Sequence, residues 1–107
     1  MTTSQNYLMI KSQQLAQQIQ EAEATGKDIS SLVKQQIAVL EAHYNEFVKE
    51  ADEKNIHNLE RAKIEIQLCA NIKSWAKKID LPIDSYDERI KQIRISVLGV
   101  ENTEKFF

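Results

Sequence analysis

The chain has 107 residues with a formal net charge of −2, 42% hydrophobic and 28% charged residues, two Gly, one Pro and one Cys. One domain's length with so little Gly and Pro excludes a hairpin-rich β fold and leaves no glycine loop to cradle a phosphate. The acidic balance lacks the basic excess of a typical nucleic-acid binder, and a single Cys makes neither an intramolecular disulfide nor a thiolate cluster.

The first segment spans about Asn6 to Ala24, with Leu8, Leu15, Ile19 and Ala22 at helical spacing on one face. Gly26 supplies the left-handed residue that commonly ends a helix, and Asp28 is the expected N-cap of the next. The second segment carries an apolar seam, Ile29, Val33, Ile37, Leu40, Tyr44, Phe47 and Ala51, stepping by four and three residues. That spacing is close to the repeat of helices packed at shallow angles. The polar run Asp52 to Asn58 predicts a tight turn near Lys54 and Asn55. The rival is one unbroken helix of about 50 residues, since neither Gly nor Pro forces a stop there.

The third segment, about Ile56 to Ile79, bears two stripes: Leu59, Ala62, Ile66 and Cys69, then Leu68, Ile72, Trp75 and Ile79. So wide an apolar arc belongs to a central helix touching more than one neighbour. Pro82 ends it, and Ser85 with Glu88 reads as a capping box opening the fourth helix, whose inward residues are Tyr86, Ile90, Ile93 and Val97. Short connections imply antiparallel neighbours. The fold expected is therefore all-α: a small antiparallel bundle of about four helices, built on a long central hairpin over residues 1–99. Residues 100–107 form a tail ending in Phe106 and Phe107, expected to fold back over the hairpin.

Catalytic constellations are absent. His43 and His57 lie far apart, the twofold Glu-x-x-His pattern of di-metal bundles does not occur, and Cys69 sits on an apolar stripe without an electropositive setting. No enzyme activity, metal or cofactor is expected. The N-terminus has neither a basic region nor a long apolar run, and no stretch approaches about 20 apolar residues, so a cytoplasmic protein without membrane association is expected.

Two functional patterns remain. From Met1 to Gln20 the only side chain charged at neutral pH is Lys11, and glutamines fill most of the polar positions. Charge depletion marks interface cores. The expectation is a non-enzymatic protein–protein interaction module (an adaptor, assembly subunit, export chaperone or inhibitor) whose partner is another protein, with a homo-oligomer as the further form considered. Gln13, Gln14, Gln17, Leu68, Ile72 and Trp75 would carry the contact. The alternative is a nucleic-acid-associated regulator using a basic stripe on the third helix, Arg61, Lys63, Lys73, Lys77 and Lys78. Against that stripe stands the acidic run Glu46, Glu50, Asp52 and Glu53, which an antiparallel hairpin would bring to face Arg61 and Lys63.

Overall fold

A computed structural model describes residues 3–98, with side chains described over residues 5–96. It contains four α-helices, α1 (Thr3–Ala24), α2 (Ser30–Glu53), α3 (Leu59–Lys78) and α4 (Asp84–Leu98), and no strand among the described residues. The all-α bundle on a central hairpin is thus the observed fold. The tail 100–107 lies outside the described residues.

All three connections end the preceding helix with the same device. Gly26, Asn55 and Asp80 adopt left-handed backbone with φ of 74°, 56° and 57°. Each turns the chain so that the next N–H donates back to a carbonyl of the last helical turn: Lys27 to Ala22 at 2.9 Å, Ile56 to Ala51 at 2.8 Å and Leu81 to Ala76 at 3.0 Å. Orphan carbonyls at the helix ends are thereby satisfied. Asn tolerates the left-handed region through its short polar side chain, so Asn55 breaks the chain into a hairpin without Gly or Pro. Asn58 then accepts from the Arg61 N–H at 2.9 Å and starts α3 later than Ile56, where the periodicity alone begins it.

Two caps differ from the sequence reading. Asp28 accepts from the Ser30 N–H at 3.0 Å, which holds its exposed carboxyl below the usual range, but Ile29 occupies the N-cap position of α2. Ser85 lies inside the first turn of α4, because the Ile83 carbonyl already accepts from the N–H groups of Tyr86 and Asp87. Asp84 and Asp87 complement the positive end of that helix instead.

The core consists of Leu15, Ile19 and Ala22 from α1, Val33, Leu40 and Ala51 from α2, and Ala62, Cys69, Ile72 and Ala76 from α3. Along α2 the buried stripe is displaced from the expected seam: Ile37, Tyr44 and Phe47 are half-buried and Gln36 is buried in their place. The cause is α1, whose Ser12 carbonyl accepts from the Gln36 side chain at 3.0 Å.

Backbones pack in chain order, α1 on α2, α2 on α3 and α3 on α4, and no other pair of these helices approaches as closely. Side-chain bonds show why. On α2, Gln36 bonds to α1 while Glu41 pairs with Arg89 of α4. On α3, Lys78 pairs with Glu23 of α1 while Lys73 pairs with Asp87 of α4. Each pair of anchors is five positions apart, about 140° around a helix turning 100° per residue. α1 and α4 therefore flank the α2–α3 hairpin on opposite sides, in a molecule measuring 46 × 31 × 17 Å.

If left-handed caps set the connections, Asp80→Gly should stabilise the fold by about 0.5–1 kcal/mol, and Gly26→Ala should destabilise it by about 1 kcal/mol. Urea denaturation followed by circular dichroism checks both. A β-carbon at Gly26 meets no atom within 4 Å, so backbone strain alone carries the second effect.

Candidate interaction face

The two flanks of the hairpin are chemically different. On the α4 side, Arg89 pairs with Glu41 at 3.2 Å, and its guanidinium lies 4.8 Å from the Tyr44 ring centre and 5.4 Å from that of Tyr86. The Tyr44 hydroxyl donates to Glu65 at 3.3 Å, Glu65 accepts from Arg61 at 3.1 Å, and Arg61 reaches Asp52 at 2.8 Å and the Ile56 carbonyl at 2.7 Å. Burial pushes the Tyr44 phenol well above its ordinary range. Cys69 is fully buried beside this chain; burial also raises its thiol, with Arg89 pulling the other way. Aromatic faces, carboxylates and guanidinium satisfy one another here, and the hollow of about 410 Å³ between Arg61, Glu65 and Ile93 is lined largely by these already paired polar groups.

Among the described residues the α1 side is open. Along α1, Met9, Gln13, Ala16, Gln20 and Glu23 step by four and three residues, and along α3 Ile64, Leu68, Asn71, Trp75 and Lys78 step identically. Both helices run the same way, and the Glu23–Lys78 pair at 3.0 Å sets the register. Counted back from that pair, Gln20 and Trp75, Gln13 and Leu68, and Met9 and Ile64 stand the same number of residues from it. Where the helices begin, Gln5 donates to Glu50, and a cleft of about 310 Å³ opens with Phe47 and Ala51 of α2 beside Glu60 and Ile64 of α3. A second hollow, of about 470 Å³, is lined by Ile64, Gln67, Leu68, Ala70 and Asn71. Between Lys11 and Glu21 on α1, and between Glu65 and Lys73 on α3, no residue carries a charge.

The expected contact residues distribute unevenly over this face. Gln13 lies on the α1 strip, whereas Gln14 and Gln17 are exposed on the outer surface next to Ile10. Leu68 and Trp75 are half-buried along the α3 strip. Ile72 is 0% exposed and belongs to the core, so it makes no direct contact with a partner in this fold; its position at the edge of the stripe turns it inward. Ile64, 42% exposed, and Tyr7 and Ile10, 66% and 56% exposed, were missed. They fall outside the apolar periodicity, and that is the signal by which they stand out.

The five bases of α3 form no stripe. Arg61 pairs with Asp52 and Glu65, Lys63 approaches Glu60 at 3.9 Å, Lys73 pairs with Asp87 and Lys78 with Glu23. Lys73 and Lys78 face opposite flanks, and Lys77 alone of the five has no carboxylate partner among the described residues. Of the acidic run expected to meet them, Asp52 reaches Arg61, and Lys63 turns to its own helix.

His43 is half-buried, which lowers its basicity, and His57 is exposed with Nδ1 3.1 Å from Arg61. Among the described residues no three His, Cys, Asp or Glu side chains cluster to hold a metal ion, and no helix is long and apolar enough to cross a membrane. The chain matches no known protein-family model, no curated protein and no solved structure.

Burial of Cys69 makes two linked outcomes measurable. Its thiol should react slowly with a disulfide reagent in the native protein and rapidly in denaturant. A raised thiol keeps its proton in the folded state while the unfolded chain loses it above about pH 8.5, so stability should fall as pH rises from there. Denaturation at pH 8 and pH 10 should show a smaller loss for Cys69→Ala than for the natural chain.

Proposed function

We propose that the chain is a non-enzymatic interaction module, an adaptor, assembly subunit, export chaperone or inhibitor acting in the cytoplasm, that binds another protein through its α1–α3 face. The observation that carries this reading is the absence of charge along the central stretches of both α1 and α3, two helices joined at one end by the Glu23–Lys78 pair. A chain with 28% charged residues leaves such a surface free of ions where it can be desolvated at low cost. Leu68 and Trp75 supply the large apolar side chains, Gln13 and Asn71 the polar ones, and the cleft beside Phe47 can receive a side chain from a partner helix. Grooves between helices take amphipathic helices through anchors at this spacing. Nucleic-acid binding through α3 draws little support, because four of its five bases are matched to carboxylates and they point to different sides.

Photocrosslinking in the source cells tests the face directly, with benzophenone side chains placed singly at Gln13, Gln67 and, on the outer side of α4, Lys91. Gln13 and Gln67 should give discrete adducts with another polypeptide and Lys91 none. Equal adducts from all three, or adducts from Lys91 alone, would contradict the proposal.

A further inference from the structure

We infer that the α3 strip of this face is built to meet a second copy of this chain, with the two α3 helices antiparallel across a twofold axis. The inference rests on the α1–α3 face being a docking surface and adds the identity of one occupant. The strip extends one step beyond the groove, to Glu60, so it reads Glu60, Ile64, Leu68, Asn71, Trp75, Lys78, with steps of four, four, three, four and three. Reversed against itself about a point between Leu68 and Asn71, this order becomes self-complementary. Ile64 meets Trp75 of the second copy, Leu68 meets Asn71, and Glu60 at one end meets Lys78 at the other.

Charge selects this orientation. The Glu60 side chain is 78% exposed and its nearest base, Lys63, stands 3.9 Å away. Lys78 is held on the strip by Glu23, with its side chain 40% exposed. An antiparallel pair places that ammonium between Glu23 of its own chain and Glu60 of the other. A parallel pair would set Lys78 on Lys78 and Glu60 on Glu60, and like charges across an interface are costly. Between these ends the strip has no charge, so a copy can approach itself without repulsion.

Shape agrees with charge. The hollow lined by Ile64, Gln67, Leu68 and Asn71 has the small Ala70 at its edge and lies where the axis passes, so Leu68 of each copy enters the hollow of the other as a knob enters a hole. The strip is about 27 Å long at 1.5 Å per residue. With a helix about 10 Å wide it buries less than the roughly 800 Å² per partner of a standard stable interface. The dimer is therefore a weak one, forming at tens of micromolar or above.

Sedimentation of the full chain from about 1 to 500 µM tests this. The expected result is a reversible rise from 12.4 kDa towards twice that mass. Leu68→Asp, at a half-buried surface site, should weaken association at least ten-fold while circular dichroism remains helical. Glu60→Lys and Lys78→Glu should each weaken it several-fold, and the double exchange should restore it to within about two-fold. That recovery distinguishes the antiparallel pairing from general stickiness of the face. A constant 12.4 kDa, or a double exchange no better than the singles, would overturn the dimer. In the crosslinking, an adduct at Gln67 of twice 12.4 kDa reports the dimer, whereas an adduct of any other mass at Gln13 or Gln67 reports a different polypeptide, so the two readings fail separately.

Discussion

The Arg89 guanidinium reaches from α4 to Glu41 on α2, lies over the rings of Tyr44 and Tyr86, and sits against the position where Cys69 is buried on α3. A cation so placed is expensive to move, because withdrawing it leaves a partly buried carboxylate and two aromatic faces without their partner. It ties α4 to one flank of the hairpin, and Lys73 with Asp87 supports the same docking. Because none of the buried core residues among the described side chains comes from α4, the helix depends on these polar and half-buried contacts more than α1 does.

That placement decides the rest of the surface. In a closed four-helix bundle the fourth helix would lie against the first and cover the apolar edges of both. Here α4 covers the opposite flank, and no other described helix covers the edges of α1 and α3 beside Phe47. The core remains narrow, held by small residues on α3 such as Ala62 and Ala76, which let helices approach closely. The open face and the thin core are two results of one docking choice.

Helix ends were legible where a residue type announces them. Gly26 and the Asn55 turn follow from the conformations those residues tolerate, and the choice of hairpin over one long helix falls to Asn55 and Asn58. Asp80 was hidden because Pro82 alone accounts for a stop. Gln36 was hidden because an amide reads as solvent-facing until a neighbouring carbonyl is known to meet it. Of the face, Leu68 and Trp75 could be read from spacing, while Ile72 could not be separated from them, since a stripe has no edges until a neighbour's position is known. The five bases looked contiguous in a linear window but scatter around a helix that turns 100° per residue. The topology was least legible of all: its determinant, Arg89, is indistinguishable in sequence from any surface base.

An interaction module needs a stable scaffold with one side left unfinished, and the α4 flank, tied by paired charges, and the α1–α3 flank, uncharged only along its centre, divide the molecule in that way. The most direct test of this division is the distance between α1 and α4, measured by electron–electron spin resonance with labels at Gln14 and Lys91 in a Cys69→Ala background. Helices on opposite flanks are separated by two packing steps, about 16–20 Å between axes, against about 8–10 Å for neighbours. The account predicts the longer separation as a single narrow population; a distribution centred on the neighbour distance would mean that α4 closes the bundle over α1 and that the face is not open.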